Sequence, residues 1–398
     1  MAMIISTTTI TERAFERPLV VNGLEKLWSR VCSGKSSVAR TWRCAAGFAR
    51  RCLLTDQFNG GGAAMNNRTD IGAVESLTID VLSETGWFDD ARFKADMAAF
   101  GGSEQSQYHI AWDAENAGGY AALLTITLLD GDQRKILLDT GWSTSWMDEA
   151  FARRSVDTML ERGEIDFMVL SHWHLDHFWG IESTLKHNPK LKIYAPATWQ
   201  SQDRALLREK GEIRVDDRDG RAVSICRNTI AHEGDLVLTE ERGEDGSGLY
   251  PLLPGVALHM FDASMLLRVT GENVLYVNVA DKGIVTVTGC GHPGIMKLLG
   301  FARERLVAPG LYGCYGGLHL SIFDTWKPEF DQIIDEIKAL GMEKMGCNHC
   351  TGWMWAETAA THGVPIISGT DAYLGYSKQS AQAKKSHAFL GNGDRVTF

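Results

Sequence analysis

Apolar positions recur along this chain with two periods, and the switching between them sets out the secondary structure. Leu77 to Leu82 reads as a strand. Tyr120 to Leu129 and Lys135 to Leu138 bracket Asp130-Gly131-Asp132, a hairpin signal. Thr144 to Arg162 has roughly helical spacing through Met147, Phe151, Val156, Met159 and Leu160. Ile165 to Leu170 is a short β-favouring run, long enough for one buried strand, and a helix is expected over roughly Phe178 to His187. Further on, Asn273 to Val279 and Ile284 to Thr288 form a second hairpin about Asp281-Lys282-Gly283. Pro293 suits the first position of a helix over Gly294 to Arg305. Val307 to Tyr315 and Glu343 to Cys347 are short strands with a helix, Trp326 to Leu340, between them. Strands alternating with helices in this way predict an α/β fold.

Residues 189–272 are less regular. They hold a strand candidate from Leu191 to Tyr194, a helix near Trp199 to Lys210 and a charged loop around Glu240 to Gly248. The expectation is an insertion that lies over the site and shapes substrate entry. Residues 1–65 differ again in composition. Nine basic and four acidic residues leave +5 there, hence −15 on the remainder of a chain whose net charge is −10. Asn59-Gly60-Gly61-Gly62 ends this stretch like a linker. The reading preferred is a disordered basic extension, or a start at Met65, over a targeting segment. Residues 66–398 are then one domain.

Composition narrows the function class. The chain has 398 residues, 44% hydrophobic and 23% charged, as in an ordinary globular enzyme. An acidic body argues against a nucleic-acid partner, and no run of 18 apolar residues argues for a membrane span. Eight scattered cysteines fit a reducing, cytoplasmic setting better than a disulfide framework. The expected partner is a small-molecule substrate.

The chemistry is concentrated in residues 171 to 180, Ser-His-Trp-His-Leu-Asp-His-Phe-Trp-Gly. His172, His174, Asp176 and His177 form H-x-H-x-D-H. Three imidazoles and a carboxylate so close together are costly unless a cation sits among them; imidazole suits zinc, iron, nickel or copper, and a carboxylate raises affinity and can orient a metal-bound water. In an extended segment residues two apart point to one side, so His172 and His174 can grip one ion. Asp176 and His177 follow where the chain turns into a helix, so they can face a second ion.

This motif resembles the hallmark of the metallo-β-lactamase-fold superfamily. Leu137-Leu138-Asp139-Thr140-Gly141 resembles the "LLDTG" that precedes it. Gly289-Cys290-Gly291-His292-Pro293-Gly294, Gly316-Gly317-Leu318-His319-Leu320 and Asn348-His349-Cys350-Thr351-Gly352 resemble elements of one branch, the dihydropterin–ribofuranosylaminobenzene phosphate synthase-like metallo-hydrolases. The resemblance implies a four-layer αβ/βα sandwich with metals at one edge. It implies one ion on His172, His174 and His292, and a second on Asp176, His177 and His349. The ions expected are two divalent transition metals, zinc first, with iron or manganese as alternatives. Many members place an Asp between the metals, and here that place falls to His319, as a ligand or as a proton donor. Asp176 would orient the nucleophile, and Asp139 would brace the ligand loop.

The activity so implied is metal-assisted hydrolysis of an ester, lactone, amide or phosphoester-type bond. Two alternatives stand beside it: a synthase-like transferase acting on a pterin or phosphorylated aromatic amine, and an iron-dependent redox enzyme. Three residue groups keep two readings each. Cys347-Asn-His-Cys350 is formally C-x-x-C, compatible with redox or zinc binding, yet two small buried residues account for it as well. Trp142, Trp146, Trp173, Trp179, Trp353 and Trp355 suit an aromatic substrate pocket or the packing of sheet edges. His109, His187, His232, His259, His362 and His387 carry no spacing signal and read as surface or core residues.

Overall fold

The computed structural model describes residues 68–84, 98–99, 102–110, 118–217, 219–243, 246–322, 325–375 and 387–398. The expectations for residues 1–65 lie outside the described residues. In chain order the first strands are β1 (Ser76–Ser83), β2 (Ala121–Thr127), β3 (Gln133–Leu138), β4 (Phe167–Val169), β5 (Ile193–Pro196), β6 (Glu212–Asp216) and β7 (Ala222–Arg227). Then come β8 (Leu236–Thr239), β9 (Tyr250–Leu253), β10 (Val256–Ser264), β11 (Thr270–Val279), β12 (Gly283–Thr288), β13 (Leu311–Gly316), β14 (Lys344–Cys347) and β15 (Arg395–Thr397). The helices are α1 (Thr144–Arg153), α2 (Val156–Glu161), α3 (Leu175–Phe178), α4 (Glu182–Leu185), α5 (Ser201–Arg208), α6 (Ile295–Arg305), α7 (Glu329–Ala339) and α8 (Trp353–Thr361).

Two large sheets result. One runs β15-β1-β2-β3-β4-β5-β8 and the other β14-β13-β12-β11-β10-β9, with β6-β7 as a separate ribbon. Each large sheet joins an antiparallel hairpin to a run of parallel strands: β2-β3 leads into β4 and β5, and β11-β12 leads into β13 and β14.

Side-chain alternation along these strands builds four layers. Leu77, Ile79, Val81, Ile136 and Leu138 of the first sheet meet Val256, Leu258, Leu275, Val277 and Val287 of the second in a central core. On the first sheet's other face, Leu123, Leu137 and Met168 pack on Met147, Phe151, Val156 and Leu160 of α1 and α2. On the second sheet's other face, Cys314, Met345 and Cys347 pack on Ile295, Ile334 and Trp355 of α6 to α8. Each such burial stabilises the fold by about 1.5–3 kcal/mol. This is the αβ/βα sandwich expected from the sequence.

Several boundaries differ from expectation, each for a local reason. The helix expected over residues 144–162 is two helices, because Ser155 takes a left-handed φ of 56°. The helix expected from Phe178 is two short turns, and Asp176 and His177 already lie inside the first of them. Pro293 stays outside α6, whose N-cap is Gly294. Residues 189–272, read as an insertion, are mostly woven into the sheets: β5 and β8 extend the first, and β9, β10 and the start of β11 build the second. Only α5 and the β6-β7 ribbon stand apart. β6 buries Ile213 and Val215 and exposes Glu212, Arg214 and Asp216, a period of two confined to five residues.

Candidate metal centre

The site lies at the carboxyl ends of the parallel strands, where loops leave the two sheets side by side. Asp139 follows β3. Ser171, His172 and His174 follow β4, and Asp176 and His177 lie on α3. Cys290 and His292 follow β12, His319 follows β13 and His349 follows β14. Asp139, His319 and His349 hold left-handed backbones, with φ of 59°, 49° and 50°. Such strain costs on the order of 1–3 kcal/mol per residue and concentrates at functional sites.

The ligand atoms of His172, His174 and His292 lie within 4.8 Å of one another, as do those of Asp176, His177 and His349. The structure thus brings together both expected sets. In the first set, His172 Nε2 and His174 Nδ1 are 3.0 Å apart. The outer partners decide which nitrogens carry protons. Ser171 Oγ donates to Asp139 Oδ2 and so accepts from His172 Nδ1, at 2.8 Å. His174 Nε2 donates to the Leu266 carbonyl at 2.9 Å. His292 Nδ1 donates to Glu272 Oε2 at 2.9 Å, and its Nε2 is buried without a hydrogen-bond partner. Three unprotonated nitrogens therefore point into one space. Burial, followed by the neighbouring imidazoles, pushes His172 well below the usual histidine range, and burial and His292 bring His174 to about 3. A proton does not hold these rings together; a cation would.

In the second set, His177 Nε2 is 3.1 Å from His349 Nε2, and His349 Nε2 is 3.3 Å from Asp176 Oδ2. His177 is turned by Nδ1, which donates to Asp139 Oδ2 at 2.7 Å. Burial opposes charge on His349, but the hydrogen bond to Asp176 outweighs it and holds the pKa up at about 9. Burial also opposes charge on Asp176, yet His177 and His349 keep its carboxyl well below the usual range. Without a cation, a proton on His349 occupies the place between these donors. The two sets thus fit transition-metal ions in donor type and in the orientation of every ring.

Asp139 sits where the sequence placed it, accepting from Ser171 N, Ser171 Oγ and His177 Nδ1. Its counterpart across the site, Glu272, went unread. Glu272 is fully buried and accepts from Thr288 Oγ1, from the backbone N–H of Cys290, Gly291 and His292, and from His292 Nδ1. Burial alone would raise it, but these donors hold its pKa down at about 2. The one available signal was a lone acid just ahead of the apolar run Val274 to Val277. Cys290, in the sequence only a member of a motif, has its Sγ 3.2 Å from His177 Nε2.

His319 stands beside His292, with ring centroids 4.3 Å apart, and its Nδ1 is buried without a partner. Its ligand atom groups with those of Cys290 and His292. The tryptophans resolve toward packing. Trp142, Trp146, Trp173 and Trp179 are buried in the helix layer of the first sheet, Trp355 in that of the second, and Trp353 stacks on Phe389. Of the C-x-x-C pair, Cys347 lies in the hydrophobic core while Cys350 reaches the site and donates to the Cys290 carbonyl at 3.2 Å. His232 and His259 are buried and hydrogen-bonded to backbone carbonyls, a core role.

The family model of the metallo-beta-lactamase superfamily matches residues 124–259. That stretch is similar to a metallo-β-lactamase domain. The match includes His172, His174, Asp176 and His177; His292, His319 and His349 come from beyond it. One curated relative is the 7,8-dihydropterin-6-methyl-4-(beta-D-ribofuranosyl)-aminobenzene-5'-phosphate synthase of Methanocaldococcus jannaschii. It is 24% identical over 202 residues, 48% of this chain and 67% of that protein. Among solved structures, a metal-dependent hydrolase of the beta-lactamase superfamily, Tm1679, is 16% identical with a TM-score of 0.43, covering 72% of this chain and 93% of the other. A quorum-quenching N-acyl homoserine lactone lactonase is 15% identical with a TM-score of 0.32, covering 60% and 82%. Among the described residues, no helix is long and apolar enough to cross a membrane.

Proposed function

We propose that this chain is a dinuclear metal hydrolase that activates water against an ester, lactone, amide or phosphoester-type bond of a small molecule. The observation that carries this reading is the convergence of unprotonated nitrogens from His172, His174 and His292 beside the Asp176, His177 and His349 set. Three protein ligands to each ion leave positions open for water and substrate, the mark of a catalytic site. Bound ions would supply Lewis acidity and a water whose pKa falls from ~16 to near 7. Zinc is the metal this donor set favours, with iron or manganese next.

The chain's own groups then have separable tasks. Asp176 keeps a charged carboxylate in the site and orients the attacking water through its free lone pairs. His319, beside His292 with a buried free Nδ1, donates a proton to the leaving group. Asp139 and Glu272 fix the rings of His177 and His292, so little reorganisation accompanies the reaction.

The test is hydrolysis of a panel of carboxylic esters, lactones, β-lactams and phosphodiesters by protein stripped with chelator and reloaded with zinc, manganese or iron(II). Turnover of at least one bond type that is lost on stripping and restored on reloading is expected. The curated relative's name supplies the second reading, a synthase-like transfer. A metal-loaded protein inert toward the whole panel that joins a dihydropterin to a phosphorylated aromatic amine would replace the first reading with the second.

A further inference from the structure

We propose that Cys290 is a metal ligand in this site, its thiolate shared between the two ions. The inference deepens the dinuclear reading and rests on it. Cys290 Sγ is 3.2 Å from His177 Nε2, a donor of the second set. It also groups within 4.8 Å with His172 and His177, with His292 and His319, and with His349 and Cys350. Cys290 thus stands within 4.8 Å of His172 and His292 of the first set and of His177 and His349 of the second.

Charge argues the same way. Of the six donors so far assigned, Asp176 alone is anionic, against two divalent cations in a buried space. A neutral imidazole such as His319 adds no negative charge. A thiolate does, and soft sulfur suits zinc or iron. The place of Cys290 is well fixed: its N–H donates to Glu272 Oε1 at 3.0 Å, in the network that turns His292. Cys350 groups only with Cys290 and His349, on the side of the second set, and its thiol donates to the Cys290 carbonyl. The unpartnered Nε2 of His292 is a second sign that the cluster lacks a cation-bound partner rather than a packing neighbour. In the metal-free protein the Cys290 thiol donates to the bare Nε2 of His177. On metal uptake that proton leaves to solvent as sulfur and nitrogen both turn to the ion.

Extended X-ray absorption fine structure of the full chain loaded with zinc alone tests this. The expectation is a sulfur shell at about 2.3 Å, with close to one sulfur per ion in protein that holds two ions. The shell is lost in Cys290→Ser and kept in Cys350→Ser. Half a sulfur per ion would show that the thiolate binds a single ion and would overturn its sharing. A shell that survives in Cys290→Ser, or is absent from wild type holding two ions, overturns the assignment and leaves the dinuclear reading intact. Uptake of fewer than two ions is instead a failure of that reading. Should Cys290→Ser not fold, alkylation of the wild type mapped by mass spectrometry replaces it. Cys290 should be shielded from iodoacetamide in the presence of zinc and modified after chelation; equal modification in both states refutes the proposal.

Discussion

Each histidine of the site is defined by its outer partner as much as by its inner one. The H-x-H-x-D-H run, His292 and His349 could be picked out from sequence because metal ligation needs those residue types at those strand ends. Glu272 could not, since a lone acid in β11 has no spacing signature and acts only through the fold. Two predictions belong here. Replacing His292 with Ala should lose metal together with rate, because it removes one of three protein donors. Replacing His319 with Ala should leave metal content unchanged and lower kcat by roughly 10²–10⁴-fold. Elemental analysis beside steady-state kinetics decides, and metal loss in the His319 variant would make that residue a ligand. The second concerns pH. A metal needs neutral His349, whose metal-free pKa of about 9 lies above neutrality, so protons compete more strongly as pH falls. Through His349 alone, going from pH 8 to pH 6 should weaken the second ion by about 100-fold, one decade per unit, in addition to the proton that Cys290 gives up to the shared site. The first ion's His172 and His174 add no such loss, because His174 sits near 3 and His172 is likewise depressed, so the second ion should weaken more. Competition titrations at several pH values measure both, and equal weakening would contradict the proton assignment.

At the level of elements, strand ends were legible and helix limits were not. The hairpin at Asp130-Gly131-Asp132 follows from turn chemistry alone. The break at Ser155 and the late start of α6 depend on tertiary packing and on left-handed backbones that local spacing does not reveal. Strand β15 is three residues long, and only its pairing with β1 makes it a strand. The loop carrying His349 shows what such backbones do. Gly352 follows it with φ of +80°, and a Cβ there would lie 2.1 Å from the Ser321 carbonyl oxygen. Gly352→Ala should therefore cost about 2–4 kcal/mol through strain and overpacking, lowering Tm by roughly 3–6 °C. It should also weaken the second ion more than the first, since His349 moves with this loop. An unchanged melting curve would show that the loop yields freely.

For the molecule as a whole, the two sheets share one logic. Each places a run of parallel strands with their carboxyl ends at the same edge, and one set of donors comes from loops on both sides of it. That is why ligands as distant in sequence as His177 and His349 meet at 3.1 Å. The order of strands and helices pointed to an α/β fold, but the sharing of residues 189–272 between both sheets is a non-local fact that no window of sequence contains. The composition break before Met65 suggests that the domain is self-sufficient. A chain beginning at Met65 should keep its metal content and melting temperature, and loss of soluble protein would show that the preceding residues support the fold.

The central claim, two ions on two defined donor sets, is tested most directly by anomalous diffraction at the metal absorption edge from crystals of the metal-saturated protein. Two peaks are expected, one among His172, His174 and His292 and one among Asp176, His177 and His349. A single peak, or none, in crystals where these side chains are ordered would contradict it.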